Sequence, residues 1–226
     1  MINSVNVVMY HYVRSIRDTF SKNLYFLKVN EFKDQIKYFK KNYVIVDHEE
    51  FYYIIKKKTK LKKKIMFLTF DDGYLDHYKY VYPILKKNKI SGSFYVPSKI
   101  LQKGYILDVN KIHLILSQEN NLNKIMSDII NYTKEKFNFI IDSKKLNLIN
   151  SASRFDSKKT IIIKRLLQYH LPFKIRTNLN KFLFKKYVSK YTEEISNNMY
   201  LSEKNIKEMA SDGMYFGSHG HNHEWM

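Results

Sequence analysis

Short apolar runs alternate with longer polar segments along the chain. The clearest run spans residues 65–70, where five of the six side chains are apolar. A continuous apolar run of this length is typical of a strand buried on both faces of a parallel sheet. Further runs at residues 5–10, 43–46 and 91–96 predict additional strands. Helical patterns between these strands indicate an α/β fold.

Helical spacing appears between the predicted strands. Phe32 and Ile36 recur on one face and predict a helix with Asn30 as its N-cap. Another helix should follow Gly73, and Pro83 should kink or shorten it. These two helices would cover the sheet.

Residues 104–199 have a different composition, rich in Lys and Asn, with one proline and no glycine after Gly104. Their apolar positions follow helical spacing, so we expect a mostly helical subdomain. The β-branched residues 160–163 leave a strand open as an alternative there. Ser202 then provides an N-cap for a further helix, which Gly213 would end in the left-handed conformation.

Two polar motifs follow predicted strands. Asp71, Asp72 and Gly73 come directly after the central apolar run. Buried carboxylates require a partner or a metal ion, and active sites form where barrel strands end. The alternative is a simple Asp-Gly turn.

The second motif is a histidine cluster after an apolar run at residues 213–217. His219, His221 and His223 place three of the eight histidines within five residues. Imidazole is a common metal ligand, and one carboxylate with two imidazoles suits a hydrolytic divalent metal. The alternative is a surface loop or a purification tag.

Together, Thr69-Phe70-Asp71-Asp72-Gly73 and the segment from His219 to His223 resemble the polysaccharide deacetylase family, the NodB-homology carbohydrate esterases. The resemblance implies that Asp71 is the general base. It implies that Asp72, His219 and His223 bind a divalent metal, most often zinc. His221 matches no ligand position and is interpreted as a loop residue. The residues expected to line the pocket beside them are His11, Thr69, Gly73 and Tyr74.

The resemblance also implies the domain organisation. Residues 1–103 and 200–226 would form the N-terminal half of a deacetylase-like (β/α) barrel, and residues 104–199 an inserted helical subdomain. The family's later strands and its late acid histidine have no counterpart after His223. We therefore expect an incomplete barrel, either truncated or completed by a second chain, with an unidentified general acid.

The implied function is metal-dependent removal of acetyl groups from N- or O-acetylated sugars, in cell-surface polysaccharide or lipopolysaccharide biosynthesis. The substrate could be linked to a lipid or a nucleotide. The alternative is a catalytically inactive remnant that binds carbohydrate or a membrane surface.

Charge adds a second set of expectations. With 40 Lys and Arg against 21 Asp and Glu, the net charge is +19. The lysines are mostly scattered, so nucleic acid is a weaker prediction than peripheral contact with an anionic membrane. The chain has no cysteine, no signal-peptide pattern at its start and no long apolar span. The expected location is the cytoplasm, including the inner membrane surface.

Overall fold

A computed structural model describes residues 5–16, 23–58, 63–142 and 156–223. Its contacts divide the chain into two compact units. The first holds the described residues within 1–19, 25–105 and 193–226, and the second those within 20–24 and 106–192. The assignment of residues 104–199 as an insertion in a deacetylase-like core stays a prediction.

Five strands of the first unit form one sheet in which every described pairing is parallel. A separate parallel pair joins two strands of two residues each. The strands are β1 (Val5–Tyr10), β2 (Val13–Arg14), β3 (Leu27–Lys28), β4 (Val44–Val46), β5 (Ile65–Asp71), β6 (Ser93–Val96) and β7 (Tyr215–Ser218).

The central strand is β5, and all seven of its residues are buried. It pairs with β1 over six residues, with β4 near its start and with β6 near its end, while β7 pairs with β6. The described strands thus form an open sheet, and no closed barrel is present among them. The predicted α/β class with a parallel sheet is confirmed.

Helices alternate with the strands and then dominate the middle of the chain. They are α1 (Val29–Asn42), α2 (His48–Lys57), α3 (Tyr82–Lys87), α4 (Asp108–Gln118), α5 (Leu122–Phe137), α6 (Lys158–Arg165), α7 (Phe173–Tyr187), α8 (Thr192–Met199) and α9 (Glu203–Ser211).

The two faces of β5 carry different cores because side chains alternate along a strand. Met66, Leu68 and Phe70 belong to the larger core, which α1 covers. Ile65 and Phe67 belong to a smaller cluster, and residues of α2 pack there. This alternation carries the side chain of Asp71 to the same face as Phe67.

Local predictions had mixed outcomes around the sheet. The Asn30 cap is wrong: α1 already begins at Val29, and the Glu31 carboxylate accepts the backbone N–H of Lys28 at 3.0 Å. Pro83 follows a π-helical turn and lies in the first turn of α3, where a missing N–H costs little. Ser202 caps α9 as predicted, accepting from the Asn205 N–H at 3.2 Å.

The second unit is helical in its described part. Its helices bury branched aliphatic side chains, and Asn180 donates to the Leu167 carbonyl at 3.2 Å inside this core. Residues 160–163 lie within α6, so the strand alternative is wrong. Residues 59–62, within a run rich in lysine, and residues 154–155 lie outside the described residues.

In the part of the chain that the structure describes, every helix is too short or too polar to cross a bilayer.

Candidate metal centre

The sheet brings the two polar motifs to one edge. Asp71 is the last residue of β5, and His219 directly follows β7. The carboxyl ends of parallel strands lie at the same edge, and β6 joins these two strands by pairing with both. One ligand atom each from Asp72, His219 and His223 lies within 4.8 Å of the others.

Asp72 divides its two carboxylate oxygens between different partners. Oδ2 accepts a hydrogen bond from the Tyr74 hydroxyl at 2.7 Å. Oδ1 lies 3.1 Å from Nε2 of His223 and 3.6 Å from Nε2 of His219. It is buried, and these two imidazole nitrogens are its only polar partners among the described residues. A buried oxygen in this state needs compensation, and a cation held jointly with the imidazoles would supply it.

Two of the three candidate ligands have an uncommon backbone conformation. Asp72 has φ of 71° and His223 has φ of 56°, in the left-handed region that residues with a Cβ rarely adopt. Such conformations cost on the order of 1–3 kcal/mol and cluster at functional sites. Beside Asp72, the backbone N–H of Leu201 donates to the Gly73 carbonyl at 2.8 Å and fixes this turn.

The ligand residues also shift each other's protonation. Burial raises the pKa of Asp72, but the His223 imidazole and the Tyr74 hydroxyl outweigh burial and hold it at about 2. The pKa of His223 is raised, chiefly by its interaction with Asp72. The site therefore keeps a carboxylate charge that attracts either a proton or a metal ion to the imidazoles.

Asp71 lies beside this centre on the sheet. In the register of β5, β6 and β7 it pairs with Tyr95, which pairs with Gly217. Burial raises the pKa of Asp71, against the opposing charges of His219 and His11. A carboxylate with a raised pKa is a better proton acceptor, which suits a general base.

The other predicted pocket residues differ in what they contact. His11 follows β1, and its backbone carbonyl lies 2.8 Å from Nε2 of His77. The Thr69 hydroxyl donates to the Val8 carbonyl at 3.4 Å. Gly73 has φ of +64°, and a Cβ there would lie 2.6 Å from a carbon of Ile100. Only Tyr74 makes a direct hydrogen bond to a candidate ligand among these four.

Residues 58–127 match one protein family. The matched family is polysaccharide deacetylase. The family resemblance seen in the sequence is thereby confirmed, and the matched segment includes Asp71 and Asp72. A comparison with curated proteins finds no match.

A de-N-acetylase and a deacetylase are among the solved structures similar to this chain. A de-N-acetylase from Aggregatibacter actinomycetemcomitans is 28% identical over 43% of this chain, with a TM-score of 0.37. The match spans only 38% of that chain. Streptococcus pyogenes deacetylase PplD, in complex with acetate, is 20% identical over 78% of this chain and 80% of its own, with a TM-score of 0.39. IcaB from Ammonifex degensii is 15% identical over 97% and 87%, with a TM-score of 0.39.

The sequence did not predict the contacts that hold the histidine segment, residues 219–223, in place. The Ser98 hydroxyl lies 2.8 Å from Nδ1 of His221, and Lys99 donates to the Asn222 side chain at 2.7 Å. The Ser98 backbone N–H donates to the Gly220 carbonyl at 3.1 Å. His221 therefore helps to hold the histidine segment against the residues that follow β6. Ser98 and His221 are 123 positions apart, so no local pattern could have paired them.

The geometry leaves the chemical roles as predictions. Asp72, His219 and His223 are brought together, and Asp71 lies at the same sheet edge. This donor set of one carboxylate and two imidazoles fits a divalent metal ion. The identity of the metal and the role of Asp71 are taken up below.

Proposed function

We propose that the chain is a metal-dependent hydrolase that removes acetyl groups from N- or O-acetylated sugars. The observation that carries this proposal is the convergence of one ligand atom each from Asp72, His219 and His223, with the buried Oδ1 of Asp72 3.1 Å from Nε2 of His223 and 3.6 Å from Nε2 of His219. The polysaccharide deacetylase match over residues 58–127 supports it.

In this proposal Asp72, His219 and His223 hold the metal, and zinc is the ion that best suits one carboxylate and two imidazoles. When bound, such an ion supplies Lewis-acid chemistry to a hydrolytic reaction. The three side chains determine where it sits. The hydrogen bond from Tyr74 leaves one Asp72 oxygen for this role.

Asp71 would act as the general base. It takes a proton from the attacking water while that water adds to the acetyl carbonyl, and its raised pKa favours this transfer. Cleavage of the bond then requires a proton on the departing amine or alkoxide. His11 is the proposed donor in this chain, because it directly follows β1, whose last residue Tyr10 pairs with Phe70 next to Asp71.

The proposed substrate is an acetylated sugar, free or linked to a lipid or a nucleotide, in the assembly of cell-surface polysaccharide or lipopolysaccharide. The net charge of +19 supports a further contact with an anionic membrane surface. The family match supports an acetylated polysaccharide substrate; the pathway, the linkage and the membrane contact are additions made by this proposal.

The proposal predicts that substitution of a metal ligand changes zinc binding, whereas substitution of the general base changes acetate release alone. Asp72→Ala and His219→Ala should lose bound zinc, because each removes a ligand. Asp71→Asn should keep zinc and lose at least about 100-fold in acetate release, since general base catalysis contributes roughly 10²–10⁴-fold. Metal content after dialysis and acetate release from N-acetylhexosamine oligosaccharides measure the two effects.

His170→Ala is the matched control, because His170 lies in the second unit and should change neither quantity. Wild-type acetate release by Asp71→Asn would refute the base assignment. Retention of zinc by Asp72→Ala would refute the metal centre. Zinc binding without acetate release from any acetylated sugar would favour a non-catalytic carbohydrate-binding protein.

A further inference from the structure

His77 is a buried histidine whose side chain bonds to the backbone of His11. Its Nε2 lies 2.8 Å from the His11 carbonyl oxygen. Its Nδ1 is also buried and has no hydrogen-bond partner among the described residues. The rings of Phe70, Tyr74 and Phe94 pack around it, with centroids 5.6 to 5.7 Å from its own. The imidazole thus makes one hydrogen bond from within a group of aromatic rings.

Burial fixes the protonation state of His77. It lowers the pKa of the imidazole to about 4, so the ring is neutral near pH 7. A neutral imidazole carries one N–H, and a carbonyl oxygen can only accept, so the proton is on Nε2 and the ring donates to His11. The buried Nδ1 without a donor costs free energy that a leucine would avoid. What His77 supplies, and an apolar side chain could not, is therefore the N–H on Nε2.

The segment of residues 11–14, which follows β1, is also anchored at its other end. Arg14 donates from Nε to Oδ2 of Asp76 at 2.8 Å, and both side chains are buried. Asp76 directly precedes His77, so adjacent residues hold the two ends of the segment. A buried ion pair is weak evidence for stability, because apolar side chains of similar volume often stabilise a protein as much or more. The pair is better explained by a role in positioning the segment.

The position of this segment matters because His11 lies at the sheet edge beside Asp71. His11 follows Tyr10, which pairs with Phe70, the residue before Asp71. The described pairing of β1 with β5 ends at Tyr10. The backbone of His11 is thus beyond the strand ladder, and the hydrogen bond from His77 holds it there.

We propose that His77 is a positioning residue that holds His11 beside Asp71 through the hydrogen bond to the His11 carbonyl. This inference rests on the proposed function, in which His11 gives its proton to the nitrogen or oxygen of the departing group. It adds that a buried neutral imidazole keeps this donor in place. His77 itself transfers no proton and contacts no substrate.

Two substitutions separate the hydrogen bond from the imidazole ring. His77→Gln keeps an N–H at a similar reach, whereas His77→Leu has none. His77→Leu should lose at least about tenfold in kcat for acetate release from N-acetylhexosamine oligosaccharides, because a misplacement of about 1 Å can cost roughly 100-fold. His77→Gln should keep most of the wild-type kcat. KM and zinc content should be unchanged in both variants.

A double-mutant cycle with His11→Ala tests whether His77 acts through His11. Once residue 11 is alanine, His77→Leu should lower kcat no further. Equal losses from His77→Leu with and without the His11 imidazole would overturn the proposal. A wild-type kcat in His77→Leu would overturn it as well, and so would a loss in His77→Gln as large as that in His77→Leu.

Asn180→Leu is the matched control. The Asn180 amide also donates from a buried side chain to a backbone carbonyl, that of Leu167 at 3.2 Å, and its Oδ1 has no partner among the described residues. It belongs to the second unit, so its loss should leave kcat unchanged. Thermal unfolding confirms that each variant is folded. If His77→Leu does not fold, His77→Asn replaces it, because its amide is one carbon shorter than that of glutamine and should show the same losses.

Histidine NMR signals, recorded without metal or substrate, give a readout that does not depend on turnover. Both variants lack the ring of residue 77, so a difference between them reports the hydrogen bond. The ring signal of His11, identified by its absence in His11→Ala, should stay sharp in His77→Gln and should broaden in His77→Leu as the side chain samples several positions.

Failure of the proposed function gives a different result. If the His11 signal behaves as expected but the wild-type protein releases no acetate, the positioning role stands and the hydrolase proposal falls. If acetate is released and His77→Leu matches the wild-type protein in kcat and in the His11 signal, the hydrolase stands and the positioning role falls.

Discussion

The phenol of Tyr74 determines which oxygen of Asp72 remains available to a cation. Its hydroxyl donates to Oδ2 at 2.7 Å, while its ring stacks on Tyr12 with centroids 4.1 Å apart. Tyr74→Phe keeps the ring and removes the hydroxyl, and with it the hydrogen bonds to Asp72 and Tyr12. Hydrogen bonds to metal ligands are typically worth 10- to 100-fold in affinity, so zinc should bind about tenfold more weakly or worse. Competition with a chelator measures this change.

Tyr78→Phe is the control for that experiment. The Tyr78 hydroxyl also donates to a carboxylate, Glu208, at 2.8 Å, but this hydrogen bond is exposed and involves none of the candidate ligands. Its loss should leave zinc affinity unchanged. If Tyr74→Phe bound zinc as tightly as the wild-type protein, Tyr74 would have no orienting role.

The raised pKa of His223 predicts that two quantities change in opposite directions as pH rises: the stability of the metal-free protein and the affinity for zinc. Asp72, with a pKa of about 2, stays charged above pH 5 and favours the protonated imidazole. In chelator, this pair should stabilise the protein fully below the ordinary histidine pKa of 6.5, and the effect should disappear as pH rises through the raised pKa. Zinc requires neutral imidazole, so its affinity should rise over the same interval.

Thermal unfolding of the wild-type and His223→Gln proteins in chelator gives the first trend, and zinc titrations of the wild-type protein give the second. The stability difference between the two proteins should shrink with increasing pH while zinc affinity grows. Parallel trends in both measurements would contradict the pairing of His223 with Asp72.

The turn after β5 depends on a residue without a Cβ. Gly73 and Gly213 both have positive φ, +64° and +85°. A Cβ at residue 73 would lie 2.6 Å from Cδ1 of Ile100 and 3.0 Å from Cγ1 of Val96, whereas nothing lies within 4 Å of one at residue 213. Both Gly→Ala changes carry a backbone cost of on the order of 1–3 kcal/mol, and Gly73→Ala adds roughly 1–3 kcal/mol of overpacking.

Urea unfolding of the two alanine variants separates these contributions, because Gly213→Ala reports the backbone cost alone. Gly73→Ala should be the less stable of the two and should also bind zinc more weakly, since residue 73 follows Asp72. Equal unfolding free energies for the two variants would show that Ile100 moves aside without cost.

Elements with a strong periodic pattern could be predicted, and short ones could not. The buried run of β5 and the helical spacing of α1 follow directly from side-chain burial. The pair of β2 and β3 was missed because two residues cannot display a period. The start of α1 was misplaced because the N-cap is Lys28, which is not one of the usual capping residues, so the sequence carries no cap signal at the true start.

At the scale of the whole molecule, the candidate site depends on a pairing that sequence order does not reveal. Asp71 and His219 are 219 − 71 = 148 positions apart. They meet at one edge because β6 pairs with both β5 and β7. The family resemblance predicted that the two motifs lie close together, whereas the apolar periodicity alone could not predict it. The contact between Ser98 and His221 likewise forms only when these distant segments pack together.

Part of the positive charge of the chain lies at the end of α2, next to exposed aromatic and aliphatic side chains. The side chains of Tyr52, Tyr53 and Ile55 are 57%, 59% and 55% exposed, and Lys56 and Lys57 lie in the last turn of the same helix. Aromatic residues beside lysines suit the boundary between lipid headgroups and water. This face is therefore where we expect contact with an anionic membrane.

The membrane prediction compares two matched pairs of lysines. Lys56 and Lys57 end α2, and Lys40 and Lys41 end α1, so each double change to Gln removes two charges from a last helical turn. Each lysine near an anionic surface contributes about 1 kcal/mol, so the α2 variant should bind vesicles with 30% anionic lipid at least about tenfold more weakly. The α1 variant should change little. Sedimentation with vesicles measures both, and equal losses, or equally strong binding to neutral vesicles, would refute a membrane face on α2.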